Sequence, residues 1–145
     1  MATERRAQVT WTGSLLEGSG TIHEVGSGAF GPLDVSWSSR AEAPDGKTSP
    51  EELIAAAHAA CFSMALSGGL ARAGTPPERL ETSATVTFVP GEGITRIHLT
   101  VEGIVPAIDE TAFTAAAEGA RAACPVSKAL AGVPEITLHA RLAKA

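Results

Sequence analysis

Tyrosine is absent from this chain, and tryptophan and phenylalanine together make up only 4% of its 145 residues. Alanine, valine, leucine and isoleucine must therefore build the core. Cysteine is nearly as scarce: Cys61 and Cys124 are the only two. That is too few for a secreted disulfide scaffold, and no C-x-x-C pair suggests a zinc ribbon or a thioredoxin-type site. If the cysteines matter, they matter as reactive thiols. Basic residues number 11 against 16 acidic ones, for a net charge of −5 and a pI near 5.3. Apart from the adjacent Arg5 and Arg6 they are scattered singly, the wrong footprint for a phosphate backbone, so no nucleic-acid partner is expected. No apolar run approaches the ~20 residues of a membrane span. The opening Met-Ala-Thr-Glu-Arg-Arg-Ala-Gln leads into no apolar segment either. A soluble protein that engages no membrane and stays in the cytoplasm is expected.

At this length one domain, 1–145, is expected, with a core that shields roughly 70% of the unfolded surface. The hydrophobic fraction of 44% and mean hydropathy of +0.13 are those of a globular chain.

Up to Trp37 the sequence alternates polar and apolar residues between glycines, in Gln8–Trp11, Thr21–Val25 and Leu33–Trp37. This predicts a three-stranded meander. Residues 38–49 are charged, hold Pro44 and Gly46 and have no period, and so read as a loop long enough to carry function. A helix then starts legibly, with Ser49 as N-cap, Pro50 at the first helical position and Glu52 closing a capping box. Past Glu52 nearly every residue to Leu66 is small or apolar, so this helix is expected to be buried, in part against a partner chain. Strands follow at 82–89 and 95–105 around Pro90-Gly91-Glu92-Gly93, then a helix after Asp109. Pro125 forbids Cys124 a comfortable helical geometry, so Cys124 marks a break before a fresh turn from Val126 to Leu130. A last strand covers 135–142. The expected fold is α+β, with two central helices packed on antiparallel sheet.

Cys61 lies eleven residues beyond Pro50, too deep in its helix for the dipole to lower its pKa. By itself it reads equally well as a small buried hydrophobe. His58 is three residues earlier on the same face and could serve a Cys-His hydrolase or half a metal site, but a packed, hydrogen-bonded histidine is the simpler reading. His23, His98 and His139 fall in strand-like segments without ligand spacing, so no metal is expected. Phe62 and Met64 suit a substrate pocket or plain core packing.

Two stretches carry a resemblance: Thr48-Ser49-Pro50-Glu51-Glu52-Leu53-Ile54-Ala55-Ala56-Ala57-His58-Ala59-Ala60-Cys61-Phe62-Ser63-Met64-Ala65-Leu66, and Ala123-Cys124-Pro125-Val126-Ser127. They resemble the signature of the osmotically inducible protein C and organic hydroperoxide resistance family, and the similarity spans the chain, closer to the former branch. The resemblance implies a peroxidase without bound cofactor. Cys61 would be the peroxidatic thiolate and Cys124 the resolving thiol that closes a disulfide with it. An arginine beside the thiolate would be held by a glutamate, which by motif position is Glu51. In the hydroperoxide-resistance branch the arginine comes from the N-terminal strands, but residues 15–23 contain none. In the closer branch it precedes the helix, which points to Arg40 rather than Arg72 or Arg96.

The chemistry agrees. A free thiol is only a few per cent thiolate at neutral pH, and an apolar helix lowers that fraction, so a peroxidatic Cys61 needs a permanent cation such as a guanidinium. Ten helical residues put Glu51 about 15 Å from Cys61 along the axis. The resemblance therefore implies an intertwined homodimer, with Glu51 reaching the thiol of the partner subunit. The expected partners are a hydroperoxide and a dithiol reductant, lipoyl groups or small thiols. The rivals are a Cys-His acyl hydrolase and a redox-sensing or structural dimer without turnover.

Overall fold

Residues 1–144 are described by the computed structural model. In chain order they form β1 (Ala7–Thr12), β2 (Ser19–Val25), β3 (Leu33–Val35), α1 (Trp37–Ala41), α2 (Pro50–Arg72), β4 (Arg79–Val89), β5 (Gly93–Ile104), α3 (Glu110–Ala123), α4 (Pro125–Ala129) and β6 (Glu135–Leu142). Contacts divide the chain into two compact units, residues 1–53 and 54–145.

In the first unit the expected meander forms, antiparallel in the order β1-β2-β3. Gly20 is opposite both Trp11 and Val35. A Cβ there would come within 2.7 Å of the indole and 2.9 Å of the valine methyl, so only glycine lets the two side chains close over the strand. Ile22 is buried, whereas Val9, Trp11, Leu15, Leu16 and Phe30 remain exposed.

The stretch read as a loop from residue 38 in fact begins with a helix. Ser36 and Ser39 exchange side-chain and backbone hydrogen bonds in a capping box that nucleates α1. Its short length and polar residues hid it from any periodicity. The remainder returns to the sheet at Thr48, whose N–H donates to Asp34 O (3.1 Å) and whose carbonyl accepts from Ser39 Oγ (3.3 Å).

In the second unit, β4 and β5 form the expected hairpin, and β6 lies on the other side of β5. The α+β class holds, but the sheet is not wholly antiparallel: β6 runs parallel to β5, from Arg96↔Glu135 to Gly103↔Leu142. The reason is the connection, since α3 and α4 carry the chain back to the starting end of β5. Phe62, Leu66 and Leu70 of α2, Leu99 and Val101 of β5, and Phe113, Ala117 and Ala120 of α3 form one buried cluster.

One reading of α2 is corrected. Its 23 residues, with an 18-residue window of mean hydropathy 1.6, are long and apolar enough to cross a bilayer by length and composition. Its many alanines, together with Leu53, Ile54, Cys61, Phe62, Met64 and Leu66, raise the average. Only part of the helix is buried: His58, Phe62, Leu66 and Leu70 recur at i+4 on the core side, while Met64 is 74% exposed.

Candidate active site

At the start of α2 the N-cap forms as expected, with the Glu52 N–H donating to Ser49 Oγ (3.2 Å). The reciprocal half differs, because the Glu52 carboxylate accepts from Thr48 Oγ1 (2.8 Å). That leaves Glu51, in the first turn where the helix dipole favours an anion, to face inward with only 6% of its surface exposed. Arg40, in the last turn of α1, is set against it: Nε donates to Oε1 at 2.7 Å and to Oε2 at 3.1 Å. The pinning of Thr48 to β3 closes the segment between them and brings the pair together. A partly buried, charge-assisted pair of this length gives the guanidinium a fixed plane.

The second pair comes from opposite ends of the other unit. Cys61 is half-buried near the middle of α2, and Cys124 is fully buried at the junction of α3 and α4. At Cys124 the backbone turns extended (φ −56°, ψ 123°), as a residue before proline prefers. Its N–H still closes α3 on Ala120 O (2.8 Å), and its carbonyl accepts the first bond of α4 from the Lys128 N–H (3.1 Å). The break read from Pro125 is therefore real, and it aims the side chain at α2. The Cys124 and Cys61 sulfurs lie 2.9 Å apart, close enough to share a hydrogen bond, both as free thiols.

The two thiols are driven apart in acidity. Burial, the largest influence on each, pushes both up. At Cys124 it is outweighed by hydrogen bonds from Cys61, from the N–H and hydroxyl of Ser127 and from the Val126 N–H, so this thiol ends below its ordinary value. At Cys61 the hydrogen bond and charge of Cys124 add to burial, only the Val126 N–H opposes them, and the thiol rises. Two sulfurs this close share one negative charge. With its acidity lowered by burial and by its neighbour, a reactive Cys61 requires a cation besides.

His58 is fully buried, as its simpler reading required. Its Nε2 lies 2.7 Å from Ser127 Oγ, and Nδ1 has no partner. Neither nitrogen bonds Cys61, as a hydrolase base would need. Burial lowers the His58 pKa. The histidine's partner, Ser127, is the residue that sequence reasoning missed. No spacing links positions 58 and 127, and the one available signal was the serine three residues after Cys124. Among the described residues no group of three or more metal-ligating side chains occurs.

Taken together, these features define an α+β protein with a close dithiol at a helix break and a separate Arg-Glu pair. The model of the OsmC-like protein family matches residues 43–139. Over 145 residues the chain is 41% identical to peroxiredoxin OsmC of Escherichia coli, covering 98% of this chain and 99% of that one, and it is equally similar to the peroxiredoxin OsmC of Shigella flexneri. Among solved structures, the organic hydroperoxide resistance protein OhrB of Bacillus subtilis superposes with a TM-score of 0.64 at 25% identity, over 95% of this chain and 98% of its own. An OsmC-like protein from Mycoplasma pneumoniae shares the fold with a TM-score of 0.68 at 20% identity, over 94% and 96%. The chain belongs to the OsmC-like family.

Proposed function

We propose that this chain is a thiol-dependent peroxidase that reduces organic hydroperoxides. The observation that carries this reading is the 2.9 Å contact between two free thiols at a helix break. The Cys61 thiolate attacks the distal peroxide oxygen and the O–O bond breaks. The alkoxide leaves as an alcohol after taking a proton, and Cys61 becomes a sulfenic acid. Cys124 then attacks the sulfenic sulfur, the S–S bond forms and water departs. A dithiol reductant, lipoyl or small, restores both thiols by exchange. The apolar surroundings of Cys61 favour organic over inorganic peroxides. The names of the 41% identical peroxiredoxins and of the hydroperoxide resistance proteins support the reading.

Arg40 is the activating cation and Glu51 its anchor, supplied to Cys61 by the partner of a homodimer. Three features support this arrangement. Helical rise alone separates Glu51 from Cys61 of the same chain by about 15 Å. Among the described residues from 54 onward, no cation figures among the influences on Cys61. The first unit exposes Val9, Trp11, Leu15, Leu16 and Phe30, and α2 exposes Met64, apolar surface that a second copy would cover. The family match crosses the boundary at residue 53, so both units are read as one domain. Free thiols awaiting a dithiol donor suit a reducing cytoplasm.

The test is the intact mass of reduced protein before and after one equivalent of an organic hydroperoxide, with hydrogen peroxide in parallel and peptide mapping afterwards. Loss of two hydrogens with a Cys61–Cys124 link is expected. An unchanged mass would overturn the reading.

A further inference from the structure

The segment that joins Arg40 to Glu51 carries chemistry of its own. The chain contains no asparagine and three aspartates, Asp34, Asp45 and Asp109. Two of these are tied into structure: the Asp34 carboxylate on β3 accepts from Thr21 Oγ1 (3.1 Å), and the Asp109 carboxylate caps α3 by accepting from the Ala112 N–H (2.8 Å). Asp45 is exposed, and among the described residues neither its carboxylate nor the Gly46 N–H has a hydrogen-bond partner. The two sit at the centre of the turn Pro44–Lys47, which the Lys47 N–H closes on Pro44 O (3.0 Å). Both have positive φ, 48° at Asp45 and 79° at Gly46. That is the type I′ pattern, which aspartate followed by glycine suits. It also leaves a side-chain carboxyl one five-membered ring away from an unbonded main-chain nitrogen. Elsewhere a following side chain crowds that approach, but glycine has none, and even a Cβ built at Gly46 would meet nothing within 4 Å.

We propose that Asp45–Gly46 is a site of spontaneous aspartyl isomerisation, and that the change slackens the segment holding Arg40 against Glu51. The step balances without oxidant or reductant. The Gly46 nitrogen attacks the Asp45 side-chain carboxyl carbon, a C–N bond forms, and one carboxyl oxygen leaves as water. The cyclic imide then takes back one water, and the proton used in closing is released on opening. Opening at the main-chain carbonyl sends the chain through the side chain and frees the former main-chain carboxylate. Mass is unchanged, but the main chain gains a methylene, about 1.5 Å of contour. The bond from Lys47 to Pro44 spans that lengthened link. Next in sequence is Thr48, whose bonds to Asp34 O (3.1 Å) and from Ser39 Oγ (3.3 Å) close the segment. Slack there loosens the plane in which Glu51 holds the Arg40 guanidinium at 2.7 and 3.1 Å.

The isomerisation depends on the turn alone, whereas its effect on Cys61 rests on the proposed peroxidase function, and the experiment separates the two. Reduced protein is held at physiological pH and temperature and sampled weekly. Its tryptic peptide 41–47 is read by electron-transfer fragmentation, which distinguishes the two linkages, and by labelling with an isoaspartyl carboxyl methyltransferase. Isoaspartate should accumulate at Asp45, stay absent from the peptides that hold Asp34 and Asp109, and be lost in Asp45→Glu, whose longer side chain would need a six-membered ring. Asp45→Asn should hasten it, with ammonia leaving in place of water. No isoaspartate at Asp45, or as much at Asp34 or Asp109, would overturn the site. The isoaspartyl form, separated by ion exchange, should show faster hydrogen exchange at the Thr48 N–H. It should also oxidise at Cys61 about tenfold more slowly with a hydroperoxide, within the roughly hundredfold that a misplacement of about 1 Å can cost. An oxidation rate equal to that of fresh protein would overturn the coupling to Arg40. If even fresh protein is not oxidised by a hydroperoxide, the peroxidase reading has failed, and peptide 41–47 and the Thr48 exchange still judge the isomerisation.

Discussion

Cys61 and Cys124 are 63 residues apart in sequence and 2.9 Å apart at sulfur, and after burial each is the next influence on the acidity of the other. Cys124→Ala removes both the hydrogen bond and the charge that raise Cys61, leaving burial as the remaining upward influence. The Cys61 pKa should therefore fall, and its alkylation midpoint should shift to lower pH. The same variant should halt at the sulfenic acid, trap dimedone, and overoxidise under excess peroxide. A midpoint that moves upward would contradict the assigned coupling.

Arg40 and Glu51 invite a test by subunit mixing. Arg40→Ala should slow Cys61 oxidation by about a hundredfold, the scale of losing one charge-stabilising donor, with Arg72→Ala and Arg96→Ala close to parent. Arg40→Ala and Cys61→Ser chains, each inactive alone, should regain about a quarter of parental activity when unfolded together and refolded, because a two-fold pair makes one intact site per mixed dimer. No recovery, despite dimers by sedimentation, would place the arginine and the thiol in the same chain.

Gly103 on β5 packs under the fully buried Phe113 ring. A Cβ at this position would come within 2.6 Å of the ring, with no flexible end free to yield. Gly103→Ala should cost about 1–3 kcal/mol in urea unfolding, as overpacked cores do. A stability equal to parent would mean that the core around Phe113 adjusts freely.

His58 predicts an acid limb. Its pKa is lowered by burial, so the folded state binds fewer protons than the unfolded chain just below 6.5. The stability it contributes is complete above 6.5 and drains away as pH falls toward the depressed folded value. Denaturant midpoints between pH 5 and 6.5 should rise with pH, and His58→Gln should flatten the slope. An identical slope in that variant would assign the limb elsewhere.

Much of the fold was legible because local chemistry dictated it. Ser49 and Pro50 announced α2, Pro125 announced the break at Cys124, and the period of two announced the N-terminal meander. Short-range rules could not reveal the parallel seat of β6, which depends on where α3 and α4 deliver the chain, or α1, whose two serines cap each other inside a charged stretch. For the site, motif position nominated Arg40 and Glu51, and the structure pairs them at 2.7 Å. The bond from His58 to Ser127 spans 69 positions and left no trace in spacing.

The parallel seat of β6 also orders events during synthesis. A nascent chain displays Cys61 first, then a β4–β5 hairpin whose β5 edge is still unpaired, and Cys124 follows before residues 135–142 have left the ribosome. Until that final strand docks, the crossover carrying Cys124 is tethered at one end only. Under oxidant stress a chain still being synthesised therefore carries unguarded thiols until β6, Glu135–Leu142, docks on β5 and ends that exposure.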